Sequence, residues 1–239
     1  VMTKYSGFYD LPTAWNQVFW GILLGGVYAS TANNWLFVPY IETMSSGQRA
    51  GELNPINLIL ITLITTIAIH FLLRRKRIRK GGSHATSGWG LGLAVGGMFS
   101  IVLIMNKVQY GVNGPLDVGS ILLIGFFAPR AEALITSYHG VLMLRGRRWG
   151  AILRATFWRV ASITMFYFAW ISMIAWIFII PPILLVQDSA EKWVWDSVPK
   201  EGRRRWRRMQ ADKRREKQAS ARLILAPESV LIDTELSEE

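Results

Sequence analysis

Residues 55–80 read PINLILITLITTIAIHFLLRRKRIRK. The first nineteen, Pro55 to Leu73, carry no charge, and six of the next seven, Arg74 to Lys80, are basic. Nineteen uncharged, mostly apolar residues match the ~20 that an α-helix needs to cross ~30 Å of hydrocarbon. Pro55 suits a first helical turn, where its missing N–H would have no partner in any case. A basic cluster directly behind such a span reads as the side that is not translocated. The stretch therefore predicts a transmembrane helix and gives it a direction.

The rest of the chain repeats the pattern. Of 239 residues, 51% are hydrophobic, and they fall in long blocks rather than at alternating positions. Block one is uncharged from Trp15 to Val38, with Asn33 and Asn34 near its far end. Block three is uncharged from Gly88 to Asn106. Block four starts at Val118, is clean to Ala128, meets Pro129, Arg130 and Glu132, and resumes as far as Leu144. Block five runs from Val160 to Val186 past Pro181 and Pro182. Uncharged blocks of this length favour helices over barrel strands, which alternate at period two. The composition excludes a disordered chain, a collagen-like chain and a disulfide scaffold. With no Cys, iron–sulfur clusters, thiolate zinc sites and a Cys nucleophile are excluded as well. The start, Val1-Met2-Thr3-Lys4, does not read as a signal peptide, which needs a basic start and a small-residue cleavage site.

Charge sets the orientation. Arg74–Lys80 holds six basic residues, Arg145–Arg159 five and Lys200–Arg222 eleven, together 22 of the 27. A net charge of +11 placed beside apolar blocks fits topology better than nucleic-acid binding. With the first cluster inside, the N-terminus is inside, and residues 39–54 and 107–117 are outside. A parity conflict follows. If blocks four and five each cross once, the eleven-charge tail lands outside. If block four does not cross, the five-charge cluster does. Only a re-entrant or hairpin form of block five keeps all three inside. The clean part of block four is short enough for a re-entrant segment, and five misplaced charges weigh less than eleven. The expected fold is thus an all-α polytopic membrane protein with four transmembrane helices, at about 15–36, 55–73, 88–106 and 160–182, or five if 118–144 crosses. Segment 118–144 is expected to be broken or re-entrant. Residues 1–14 form a cytoplasmic segment, 15–190 the membrane domain, and 191–239 a charged, partly helical cytoplasmic tail. The expected location is a prokaryotic plasma (inner) membrane.

Several residues stand out within the blocks. Gly88, Gly92 and Gly96 are spaced by four, with Gly21 and Gly25 a shorter version in block one. Small residues at this spacing let helix backbones approach closely in lipid. The ordinary reading is packing between blocks one and three, and the functional one a homo-oligomer contact. Arg130 and Glu132 read as the only charges at membrane depth, with Asp117 just before the block. Such residues are expensive in lipid and are functional candidates by default, here for a proton or ion path. The bland alternative puts Arg130 at the interface or against a partner subunit. His70 and His139 lie in blocks two and four and are candidates for two axial haem ligands, against a plainer role as polar side chains near an interface. His84 lies in a Gly/Ser/Thr-rich loop with no zinc-ligand companions. The basic runs Arg74–Lys80 and Lys200–Arg222 suit anionic lipid headgroups, and nucleic acid is disfavoured.

No phosphate-binding loop, His-Glu-x-x-His or Gly-x-Ser-x-Gly pattern is present, and neither a metal site nor a bound cofactor is expected. The function expected is non-enzymatic: an integral-membrane subunit that scaffolds or assembles a larger multi-protein complex with other membrane subunits, in secretion, conjugation or energy-transducing machinery. A small transporter or channel component using Arg130 and Glu132, or a haem-binding subunit using His70 and His139, are the alternatives.

Overall fold

The computed structural model describes residues 11–39, 42, 54–109, 114–198 and 200–225. The expectations for residues 1–10, most of 39–54, the loop at 110–113 and the acidic stretch 228–239 fall outside these residues. The chain divides into two units, Val1–Val198 and Pro199–Glu239, so the second begins at 199 rather than 191. Every element among the described residues is helical. In order these are α1 (Leu11–Ala32), continued by a π-helical turn Asn33–Phe37, α2 (Pro55–Leu73), the short α3 (Lys76–Gly81), α4 (His84–Gln109), α5 (Pro115–Leu144), α6 (Arg148–Ile171), a 3-10 turn Met173–Ala175, and α7 (Trp176–Asp196). The second unit contains α8 (Lys200–Leu225).

Local chemistry explains the boundaries. Asn54 caps α2, its side chain accepting from the backbone N–H of Ile56 at 3.0 Å and Asn57 at 3.4 Å, which satisfies donors that the first turn leaves without partners. Gly82, at φ +62°, ends α3 in the left-handed region that other residues avoid. Gly146, at φ +77°, does the same between α5 and α6.

Helix α4 is the centre of the packing, and its two small-residue faces take different partners. Gly21 and Gly25 of α1 lie on Leu91, Ala94 and Val95. The row Gly88, Gly92 and Gly96 faces α5 instead. A Cβ at Gly92 would sit 2.5 Å from the Glu132 carbonyl oxygen, and one at Gly96 2.7 Å from that of Ala128. The expected partnership of this row with block one is therefore corrected: α5 fills it, and α1 uses the neighbouring face.

Contacts at the two ends give the helix directions. At one end Asn106 donates to Asn33, Lys107 pairs with Asp117 at 2.8 Å, and Lys107 Nζ donates to the Trp170 carbonyl at 3.0 Å. At the other, Arg75 lies 4.4 Å over Trp20, His70 meets His139, and Tyr138 packs on Trp193, ring centroids 5.2 Å apart. Helices α1, α4 and α6 run one way, and α2, α5 and α7 the other.

Two expectations about the blocks are corrected. Segment 118–144 is neither broken nor re-entrant: α5 is continuous for 30 residues through Pro129, about 45 Å at 1.5 Å per residue. A proline clashes with the carbonyl four residues back, and that residue, Gly125, has no side chain to add to the crowding. Neither charge interrupts the helix, because Arg130 lies outward, 4.4 Å over Phe126, and Glu132 is paired inside the bundle. The single span at 160–182 is the second correction. Ser172 is extended (φ −134°, ψ 125°), and α7 turns back after the 3-10 turn. The Trp170 carbonyl, in the last turn of α6 where no intrahelical donor remains, is taken by Lys107. Block five is thus a helical hairpin, and Arg74–Lys80, Arg145–Arg148 and the end of α7 all lie at the same end of the bundle.

Among the described residues, four segments are long and apolar enough to cross a membrane: Pro55–Leu73, His84–Gln109, Pro115–Leu144 and Met173–Trp193. Block one, expected as a span at 15–36, is helical but is not among them; Asn16, Gln17, Ser30 and Thr31 dilute it. The α6 half of block five, which carries Arg154 and Arg159, is not among them either.

Candidate functional site

Glu132 and Arg159 meet in the middle of the bundle. Glu132 is 2% exposed and Arg159 0%. Arg159 Nη2 lies 2.9 Å from Glu132 Oε2, and its Nε donates to Oε1 at 3.2 Å and to Oε2 at 3.0 Å. This fork-on-carboxylate geometry is the strong form of the interaction. The rest of the guanidinium is used too. Nη1 donates to Thr66 Oγ1 at 2.6 Å and Nη2 to Thr136 Oγ1 at 3.1 Å. Thr66 is free to accept because its own hydroxyl donates to the Thr62 carbonyl at 2.7 Å. The Tyr28 hydroxyl completes the cluster, donating to Glu132 Oε1 at 3.3 Å. One ion pair thereby joins α1, α2, α5 and α6. Helix α4 makes room for it, since a Cβ on Gly96 would come within 2.9 Å of Glu132 Cβ.

One helical turn nearer the basic end, His70 Nδ1 and His139 Nε2 are hydrogen-bonded at 3.0 Å. The same faces supply both layers: Thr66 and His70 are four residues apart on α2, Thr136 and His139 three apart on α5. The rings touch directly, centroids 5.3 Å apart and planes at 55°. Two imidazoles on opposite sides of one metal ion need their nitrogens about 4 Å apart, at ~2 Å per bond, with the porphyrin between them. The pair as folded does not fit a haem held in that way. His84, the first residue of α4, packs its backbone against Gly140. Among the described residues no group of three His, Cys, Asp or Glu side chains is placed to hold a metal ion.

The sequence-expected residues are thus separated. Glu132 is inside, Arg130 is on the outer side of α5, and Asp117 is at the opposite end with Lys107. The partner of Glu132, Arg159, reads in sequence as the last member of the basic cluster 145–159 and not as an interior residue. A signal for it exists. Ala151, Ala155, Arg159, Ile163, Phe166, Tyr167, Ala169 and Trp170 are the buried positions of α6, nearly all on one stripe at helical spacing in which Arg159 is the lone charge. Arg154, by contrast, falls off that stripe and is exposed. Thr66, Thr136 and Tyr28 carried no comparable signal, because hydroxyls are common in apolar helices.

Compared with protein-family models, with curated proteins and with solved structures, the chain matches none.

Proposed function

We propose that this chain is an integral-membrane subunit without catalytic turnover that scaffolds a larger membrane complex. The observation that carries the reading is the bonding of the buried charges. Every guanidinium nitrogen of Arg159 and both carboxylate oxygens of Glu132 are engaged within the bundle. An ionisable pair held by four helices serves to lock them. A transport site needs a group that exchanges partners, and the acidic group at this depth is committed. Arg130, the other half of the transport alternative, lies on the outside of α5.

Four apolar helices support a membrane location. Gathering Arg74–Lys80 and Arg145–Arg148 at one end supports an orientation with that end in the cytoplasm, because basic residues near span ends resist translocation, and the N-terminus and the tail are proposed to lie on the same side of the membrane. The large apolar side chains left exposed, such as Trp15, Phe19, Phe157 and Leu185, suit lipid and neighbouring subunits. Secretion or conjugation machinery and energy-transducing assemblies of a prokaryotic plasma membrane are the proposed hosts.

The test is extraction in mild detergent followed by co-purification. A stable, stoichiometric set of membrane proteins is the expected result and identifies the process. Ion flux through liposomes holding the purified chain alone, abolished in Glu132→Gln, would replace the scaffold with a channel. A haem absorption spectrum would replace it with a cytochrome.

A further inference from the structure

We propose that the groove between α5, α6 and α7 is a binding site for one acyl chain of an anionic phospholipid, with the headgroup held at the basic end by Arg154. The proposal rests on the membrane reading above. The groove has a volume of about 450 Å³ and an almost wholly apolar lining, including Leu134, Met165, Phe166, Ile179 and Ile183. That is within the usual size of ligand sites, roughly 300–1,000 Å³. On α7 its lining runs from Ile179 to Trp193, about 20 Å of helix axis. One leaflet of hydrocarbon is about 15 Å thick, half of the ~30 Å core. The groove therefore suits one leaflet and one chain. A partner's transmembrane helix would call for a seat along the full thickness, and a helix roughly 10–12 Å across would fit for little more than a turn.

The polar end says which way the lipid sits. Tyr138 and Trp193 stack at the basic end of the groove, at the depth where amphipathic aromatics meet headgroups. Arg154 donates to the Tyr138 hydroxyl from outside the apolar lining, at 3.1 Å. It is exposed, as is Lys192 beside Trp193. Arg145, Arg147 and Arg148 lie at the same end, as do Asp188 and Glu191 on the last turns of α7. Five basic residues against two acidic ones favour a negatively charged headgroup over a zwitterionic one.

The experiment uses the full chain in phosphatidylcholine vesicles with a small fraction of phosphatidylglycerol carrying a photoactivatable acyl chain. Labelled peptides are mapped by mass spectrometry. Labelling is expected to concentrate on the groove residues of α6 and α7, and to be competed by unlabelled phosphatidylglycerol but not by phosphatidylcholine. Arg154→Gln should lower the headgroup preference about fivefold, the weight of one basic residue near an anionic surface, while Arg130→Gln, on the outer side of α5 over Phe126, leaves it unchanged. Ala161→Phe, which fills the groove, should remove the concentrated labelling. Even labelling of the groove and of outward α2 residues such as Ile64, with no headgroup preference, would overturn the lipid site in a chain that still floats with the vesicles. Groove labelling seen in the purified chain but excluded from the complex in native membranes would give the groove to a protein partner instead. A chain that fails to float would overturn the membrane reading, and the lipid site with it.

Discussion

Arg159 donates from all three guanidinium nitrogens to three side chains, and removing any one of them has a different consequence. Truncating one partner of a buried pair leaves the other charged and unpaired, at about 3–5 kcal/mol. Arg159→Met and Glu132→Leu are each expected to lower the thermal midpoint in detergent sharply. The double variant should recover most of that loss, because an apolar pair of similar volume needs no partner. Thermal unfolding followed by circular dichroism checks both, and additive losses in the double variant would show that the two side chains do not act as a pair. Thr66→Val removes one acceptor from a charged donor, a loss of about 1.5–3 kcal/mol. Arg130→Gln removes a contact with one exposed ring, about 0.5–1 kcal/mol. The ordering Arg159, Thr66, Arg130 is the prediction, and an Arg130 effect as large as that of Arg159 would contradict the placement of these charges.

At the scale of elements, α4 offers two adjacent glycines with opposite expectations. A Cβ at Gly96 would lie 2.7 Å from backbone atoms of Ala128 and Pro129, whereas one at Gly97 meets nothing within 4 Å. Alanine is worth about 1 kcal/mol over glycine inside a helix. Gly97→Ala should therefore be neutral or stabilising, and Gly96→Ala destabilising, because α5 must move away from α4. The same unfolding assay distinguishes them, and equal effects would mean that the α4–α5 contact is not this close. The row 88, 92, 96 was readable as a close-packing face from its spacing alone. Its partner was not, since Gly21 and Gly25 of α1 offered an equally good match in sequence. What assigns the row to α5 is the small and hydroxyl-bearing surface of Ala128, Ala133 and Thr136, which those residues present only when α5 runs unbroken past Pro129.

For the whole molecule, the hairpin of α6 and α7 makes a prediction about sides. The chain has no Cys, so single cysteines report cleanly. Ser83 follows the first basic cluster, Ser220 lies in the tail, and Ser172 is exposed at the turn between α6 and α7. In sealed vesicles, Ser83→Cys and Ser220→Cys are expected to be labelled from the cytoplasmic side by an impermeant maleimide, and Ser172→Cys from the opposite side. Labelling of Ser83→Cys and Ser220→Cys from opposite sides would mean that block five crosses only once.

The residues read in order were enough to say that the chain is helical, where its longest apolar blocks lie, and where its basic residues collect, because these depend on local composition and length. They also marked Arg130 and Glu132 together as charges within an apolar block, without telling them apart. They did not determine the path of the chain through blocks four and five. A proline and two charges near 129–132 read as an interruption, and only packing turned Arg130 outward, turned Glu132 inward, and left the helix whole. Blocks 160–186 read as one span, and only the contact of Lys107 with the Trp170 carbonyl, 63 residues away in the chain, shows where it ends and folds back. The ion pair is the same kind of fact. Glu132 and Arg159 are 27 residues apart on α5 and α6, which the turn at Gly146 sets side by side, so their meeting is a property of the bundle and not of either segment.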